Sequence, residues 1–122
     1  MRPSTREPIL TVDDAVRAGA RVADPEERSE GVTALIESFE DDDRPATAAE
    51  DLRGELESAV EEIDPGGRDP QVAIAAATAN WLATKPDDVE DRDRAIREGV
   101  RSFYGDRVPE PVADWLTDHG LE

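Results

Sequence analysis

Arginines at helical spacing are the side chains in this sequence best suited to chemistry on an anion. Two seven-residue stretches, AVRAGAR at 15–21 and AIREGVR at 95–101, have Ala, Arg, Gly and Arg at equivalent positions. Each stretch sets two arginines four residues apart, on one face of a helix. Because guanidinium groups suit carboxylates and phosphates, these faces predict an anion site or a contact with an acidic partner. The candidate residues are Arg17, Arg21, Arg94, Arg97 and Arg101.

The alternative for these arginines, which the sequence favours, is pairing with acids one helical turn away. Acids precede three of them by four residues, in the pairs Asp13–Arg17, Glu90–Arg94 and Asp93–Arg97. This spacing is favourable for an ion pair on a helix surface. Surface pairs of this kind are common and contribute little to stability.

Each arginine stretch also holds a glycine in mid-helix, Gly19 or Gly99. Glycine costs about 1 kcal/mol relative to alanine at such a position, so two equivalent glycines indicate close contact between helices. With Ala15 and Ala95, four residues earlier, they form grooves of small residues. We expect the first and fifth helices to meet at these grooves, or one of them to meet its copy in a dimer.

Side chains suited to catalysis or metal binding are scarce. The single histidine, His119, precedes Gly120 in a pattern typical of a helix C-terminus, and the chain has no cysteine. The acidic runs Asp41–Asp43 and Asp87–Asp91 offer oxygen ligands but match no calcium-loop pattern, so we interpret them as solvated surface. DPGGR at 64–68 lacks the strand and lysine of a phosphate loop and predicts a turn. The sequence therefore favours a protein that is not an enzyme and predicts no cofactor or metal; the alternative is a hydrolase that uses Asp or Glu with a divalent cation at the acidic runs.

The charge balance is unusual even for an acidic protein. The chain has 31 Asp and Glu against 14 Lys and Arg, a net charge of -17, and Lys85 is its one lysine. With abundant Ala, Val and Asp, this composition resembles that of cytoplasmic proteins from extreme halophiles that accumulate salt. Carboxylates repel one another in dilute buffer and are screened in molar salt, so we expect structure to be lost when salt is removed. The same charge disfavours nucleic acid as a partner.

Apolar periodicity predicts six helical segments. We expect the first at Thr11–Asp24 and the second to open at Pro25, with breaks at EDDDRP, DPGG, KPDD and Gly105 separating the others. Asp69 and Pro70 have the residue types of an N-cap and a first helical position. The predicted fold class is all-α, a compact bundle of five to six short helices. It forms a single helical domain over 1–122, with 1–10 as a flexible N-terminal segment.

One predicted helix, over about 70–84, differs from the rest because it carries no charge and is apolar nearly all round. That pattern is typical of a central helix surrounded by others. It is too short to cross a membrane, which takes about 20 apolar residues. We favour a core role for it. The alternative is a polar pocket within the bundle formed by Thr78, Asn80 and Thr84.

Interaction is the function that these observations favour, either with another protein or with a second copy of the chain, in the cytoplasm. Phe103, Tyr104 and Trp115 are candidate interface anchors because aromatic residues are enriched in interfaces. A core role for all three is at least as consistent with their spacing. The alternative function is binding of a small anion or nucleotide by the arginines of the first and fifth helices.

Overall fold

Six α-helices make up most of the chain in the computed structural model, which describes residues 11–44, 51–84 and 92–121. The all-α bundle predicted from periodicity is confirmed. The helices are α1 (Val12–Ala23), α2 (Glu30–Ser38), α3 (Leu52–Ile63), α4 (Pro70–Thr84), α5 (Arg92–Tyr104) and α6 (Glu110–Asp118). No helix among the described residues has the length and apolarity needed to span a bilayer.

Helix α4 is the centre of the bundle, as its neutral sequence predicts. The other five helices all contact it, α1 and α5 most extensively. Every residue from Val72 to Ala79 is buried, and so are Trp81, Leu82 and Ala83. Six of the 15 residues of α4 are alanine, and the backbones of α1 and α5 approach it closely at Gly19 and Gly99.

The two mid-helix glycines face α4 and do not face each other. A Cβ atom on Gly19 would lie 2.6 Å from the carbonyl oxygen of Ala75 and 2.7 Å from the amide nitrogen of Ala79. One on Gly99 would lie 2.9 Å from the Cα atom of Thr78. The prediction that α1 and α5 meet at their glycines, or that one meets its copy there, is therefore wrong. The glycines do mark close helix contacts, but α4 supplies the opposing surface to both helices.

The six helices form three consecutive pairs with a constant spacing along the chain. The first helices of the pairs begin at residues 12, 52 and 92, and the second helices begin at residues 30, 70 and 110. Each pair therefore starts 40 residues after the one before it, and in the first two pairs the helices pack against each other as hairpins. Regular spacing of this size is typical of repeated helical units. The likeness between 15–21 and 95–101, which are 80 residues apart, agrees with this spacing, and so does the DPxxR pattern at 24–28 and 64–68.

The first two hairpins turn through the same hydrogen-bond pattern. The carboxylate of Asp24 accepts from the backbone N–H groups of Arg28 at 3.0 Å and Ser29 at 2.8 Å. Forty residues on, the carboxylate of Asp64 accepts from Arg68 at 3.0 Å and Asp69 at 2.7 Å. In each turn the aspartate is the C-cap of the first helix, and the second amide that it binds belongs to the N-cap residue of the next helix, Ser29 or Asp69.

This pattern explains a misplaced helix start. Pro25 does not open α2, which begins five residues later at Glu30 with Ser29 as its N-cap. The hydroxyl oxygen of Ser29 accepts from the amide of Val32 at 3.2 Å. Asp24 binds two amides beyond the turn, so the chain cannot continue as helix from Pro25. A DP pair followed by acids has the composition of a helix N-terminus. The sequence alone therefore does not distinguish a helix that starts at Pro25 from a turn that Asp24 holds.

Other helix ends lie close to their predicted positions, and the capping roles predicted at Asp69–Pro70 and His119–Gly120 are confirmed. Thr11 caps α1 in a capping box with Asp14, at 3.1 and 3.2 Å. Helix α4 begins at Pro70, and the Asp69 carboxylate accepts from the amide of Gln71 at 3.1 Å. His119 is the C-cap of α6, and Gly120 follows it with a φ of 67°.

Candidate functional site

A cleft of about 480 Å³ runs between α1 and α2. Its volume lies within the range of sites that hold small ligands or the side chains of a partner segment. Arg17 and Arg21 from the first arginine stretch lie on its α1 side. The remaining lining residues come from α1, the turn and α2: Ala20, Asp24, Pro25, Glu27, Val32, Thr33, Ile36 and Glu37.

The first arginine of the cleft is paired and the second is not. The Nε atom of Arg17 donates to the carboxylate of Asp13 at 2.9 Å, and this interaction raises the pKa of the Arg17 guanidinium. The pairing expected one turn back on α1 is therefore present. Within the described part of the chain, Arg21 makes no ion pair. Its exposed guanidinium is available to a ligand or partner at the cleft.

Acids lie on the other side of the same cleft. Glu37 is exposed on α2 and Glu27 is exposed in the turn, and neither forms an ion pair with another described residue. Asp24 also lines the cleft but is 4% exposed, and its carboxylate is bound to two backbone amides. The cleft therefore has one arginine wall and one carboxylate side, over a floor that contains apolar side chains.

Glu27 has a backbone conformation that its residue type disfavours. Its φ is 54°, in the left-handed region, whereas the equivalent residue of the second hairpin is Gly67 with a φ of 63°. A non-glycine residue there costs about 1–2 kcal/mol. The first hairpin thus keeps a charged side chain at the cleft where the second uses the residue that fits the turn.

The arginines of α5 do not contribute to this cleft. Arg94, Arg97 and Arg101 are exposed on α5, and none of them is among the residues that line it. The ion pair expected between Asp93 and Arg97 is not formed between these two described residues. The other expected partner, Glu90, lies outside the described residues.

The aromatic candidates fall into a buried group and a half-buried group. Phe103 is 1% exposed and belongs to the core, so it is not available to anchor a partner. Arg53 of α3 lies over its ring at 5.7 Å and donates to its carbonyl oxygen. Tyr104 meets the Phe103 ring edge-on at 5.0 Å. Burial, with a smaller contribution from Glu57, raises the pKa of the Tyr104 hydroxyl.

Trp115 lies at a second, smaller cleft. It is half-buried and stacks on the imidazole of His119, with the ring centroids 3.9 Å apart. The Nδ1 atom of His119 lies 2.8 Å from the carbonyl oxygen of Trp115. The pair borders a cleft of about 390 Å³ between the Asp24–Pro25 turn and α6, with Gln71 and Arg28 among its lining residues.

The polar residues of α4 do not share one environment. Thr78 is 0% exposed, and its hydroxyl has no hydrogen-bond partner in the described structure. Asn80 is half-buried, and the side chain of Thr84 lies outside what the structure describes. Thr78 lies where α4 meets Gly99 of α5. A buried hydroxyl without a partner is costly, and here it lies at a tight helix contact.

The acidic runs give no metal site in the described residues, where no group of three or more potential ligands is found. Asp42 binds Arg44 at 2.5 Å, and Arg44 also binds Glu55 of α3 at 2.6 Å. Both contacts lower the pKa values of the two carboxyls. Asp42 therefore helps to join the α2–α3 connection to α3. The run Asp87–Asp91 lies outside the described residues.

Comparisons of the chain with protein-family models, with curated proteins and with solved structures gave no match.

Residues of α2 are the part of this site that sequence reasoning missed. Ile36 and Glu37 complete the cleft, yet Ile36 belongs to a regular apolar stripe and Glu37 is one acid among many. The signal that bears on them is the DPxxR pattern at 24–28, repeated at 64–68. It predicts a tight hairpin, and a tight hairpin sets the α2 residues beside Arg17 and Arg21.

Proposed function

We propose that this protein is an interaction module that binds a segment of a partner protein in the cleft between α1 and α2. The observation that carries this proposal is the mixed lining of the cleft. Unpaired Arg21 lies on α1, unpaired Glu37 lies on α2 and unpaired Glu27 lies in the turn, and the apolar residues Ala20, Val32 and Ile36 line the same cleft. A protein segment with apolar residues and charges of both signs is complementary to this lining.

The charges of the cleft argue for a protein segment over a small anion. Two arginines line it against three carboxylates, and one of those arginines already holds Asp13. A site for phosphate or a nucleotide concentrates cationic or N–H donors on its ligand. The excess of carboxylates here repels such a ligand. Small-anion binding by Arg17 and Arg21 is therefore the second candidate, supported by their position on one side of a cleft of suitable size.

The cellular setting that we propose is a cytoplasm with high salt. The excess of Asp and Glu over Lys and Arg, with one lysine in the whole chain, supports it. In molar salt the Debye length is about 3 Å, so a partner is held by apolar contact and by charge pairs at direct contact. Attraction between distant charges contributes little under those conditions.

A thiol-specific photo-crosslinker gives a direct test, because the chain has no cysteine of its own. Thr33→Cys places the single thiol on the exposed side of the cleft, and Glu61→Cys places it on exposed α3 as the control. We expect crosslinks to a protein from Thr33→Cys and none from Glu61→Cys, in the purified protein or in an extract kept in molar KCl. Adding Ile36→Glu to Thr33→Cys should abolish them.

Two results would contradict the proposal. Equal crosslinking from both thiols would show that the cleft is not selective. No crosslink from either, together with a thermal shift on phosphate that Arg17→Ala and Arg21→Ala remove, would favour the small-anion function. A bound ligand at about 100 times its dissociation constant stabilises the native state by about 2.7 kcal/mol, so such a shift is readily measured.

A further inference from the structure

The α1–α2 cleft has a charge arrangement that is complementary to itself. Its cationic residue without an ion pair in the described structure, Arg21, lies on α1, and its unpaired carboxylates, Glu27 and Glu37, lie in the turn and on α2. A two-fold axis running along the cleft sets α1 of one copy over α2 of the other. The arginine side of each copy, on α1, then faces the carboxylate side of the other copy, on α2 and in the turn.

We propose that the segment bound in this cleft is the α1–α2 hairpin of a second copy, in a symmetric dimer. This inference rests on the proposed function and names its partner. The interface is isologous, so the contact of Arg21 with Glu37 of the other copy occurs twice. The half-buried Ile36 of each copy packs against the same apolar floor in the other.

The disfavoured backbone conformation of Glu27, in the turn between α1 and α2, also supports a second copy as the partner. Glu27 stays in a left-handed conformation at the rim of the cleft, whereas Gly67 takes the equivalent place in the second hairpin. Residues held in disfavoured backbone regions cluster at functional sites. A carboxylate at this rim adds to the acidic side that faces Arg21 of the second copy. The turn at 64–68 does not line the cleft, and it carries Gly66 and Gly67 at the places of Glu26 and Glu27.

Charge reversal on the two sides of the cleft tests the dimer directly. Arg21→Glu sets two acids at the contact between residues 21 and 37, and Glu37→Arg sets two arginines there, so each variant repels its own copy at both symmetric contacts. We expect the association constant of each variant, measured by sedimentation equilibrium, to fall about tenfold or more. An equimolar mixture of the two variants restores opposite charges at both contacts, so it should associate as strongly as the unsubstituted protein.

The measurement belongs at the lowest KCl concentration that preserves the full helical circular-dichroism signal, because screening weakens the pairs. Glu61→Arg on exposed α3 is the control for net charge and should associate normally. If Arg21→Glu does not fold, Arg21→Ala replaces it and should still weaken association. An unsubstituted protein that stays monomeric at all concentrations, or a mixture that stays monomeric, overturns the dimer.

The crosslinking and association measurements together distinguish loss of the symmetric dimer from loss of the interaction function. A monomeric protein whose Thr33→Cys variant still crosslinks to a different protein, with Glu61→Cys silent, retains the interaction function and loses only the symmetric dimer. A dimer that persists through both charge reversals also overturns the inference, because the copies then associate through another surface.

Discussion

The hydroxyl of Ser29 donates to the carboxylate of Asp69 at 2.6 Å and so joins the N-cap of α2 to the N-cap of α4. The two residues are 40 positions apart and occupy equivalent places in the first and second hairpins. Each also serves its own helix, since Ser29 accepts from Val32 and Asp69 from Gln71. The bond fixes the turn beside the cleft against the central helix of the bundle.

Removing the Ser29 hydroxyl should lower the free energy of unfolding by more than the loss of a single N-cap does, because this hydroxyl also bonds Asp69. We expect Ser29→Ala to lower the free energy of unfolding by about 1–2 kcal/mol, because N-cap loss typically costs about 1 and a hydrogen bond to a carboxylate is also lost. In a double-mutant cycle with Asp69→Ala, a coupling energy of about 1–2 kcal/mol should appear in denaturant unfolding. Ser29→Ala and Thr11→Ala, at separate caps, should be additive within about 0.5 kcal/mol. Additivity of Ser29→Ala with Asp69→Ala would show that the bond contributes nothing.

A methyl group on Gly19 should be strongly destabilising. Its Cβ would overlap the backbone of α4 at Ala75 and Ala79, and backbone atoms cannot rotate away as a side chain does. We expect Gly19→Ala to lower the free energy of unfolding by about 1–3 kcal/mol or more, despite the gain in helix propensity. Gly54→Ala on α3 is the matched control. Its Cβ meets only the movable carboxylate of Asp51, so it should be neutral or stabilising by up to about 1 kcal/mol.

Relieving the turn at Glu27 should stabilise the protein. Glycine takes a φ of 54° without the steric penalty that glutamate has there. We expect Glu27→Gly to raise the free energy of unfolding by about 1 kcal/mol. The mirror substitution, Gly67→Ala, should lower it by a similar amount, since no atom lies within 4 Å of the added Cβ and only backbone strain is introduced. A loss of stability in Glu27→Gly would show that the glutamate side chain stabilises the turn.

Sequence reasoning predicts most of the fold because its strongest signals are local. The neutral run identifies the central helix, and the capping residues Asp69 and His119 fix helix ends that the structure confirms. It misplaces the start of α2 because the role of Asp24 depends on which amides its carboxylate reaches. It predicts a contact between Gly19 and Gly99 because both glycines mark a close approach, and neither identifies the opposing helix. The cleft depends on the packing of α1 against α2, so the arginine pattern identifies only its α1 side, and the one sequence signal for the α2 side is the DPxxR repeat.

Ionisation of Tyr104 should occur at higher pH than that of an ordinary tyrosine. Burial and the nearby Glu57 raise its pKa above the usual 10.0. Because the folded pKa is raised, the neutral hydroxyl contributes stability that is fully present below pH 10 and is lost as the pH rises through the folded pKa. The chain has one tyrosine, so the ultraviolet absorbance of tyrosinate reports this group alone. Unfolding in guanidinium should return the midpoint to about 10, and Glu57→Gln should lower it in the folded protein. Equal midpoints in folded and unfolded protein would contradict the buried position.

Exposed acids are concentrated at one place in the described structure, which makes the expected salt dependence testable. Glu37, Glu40, Asp41 and Asp43 are all exposed at the end of α2 and in the residues that follow it. Lowering the salt from about 1 M to about 0.01 M lengthens the Debye length from about 3 to about 30 Å, which brings all of them into mutual repulsion. We expect the helical circular-dichroism signal to fall between these limits.

Screening and solute exclusion can be separated with an uncharged osmolyte. Sucrose stabilises compact states because it is excluded from the protein surface, and it does not screen charge. If repulsion between carboxylates drives the loss, KCl should restore the helical signal and sucrose at equal osmolality should restore much less. Replacing Glu40 and Asp43 with Gln and Asn should shift the midpoint to lower salt, because the local charge density falls. A helical signal that is constant from molar to millimolar KCl would show that contacts around α4 outweigh the repulsion at every ionic strength.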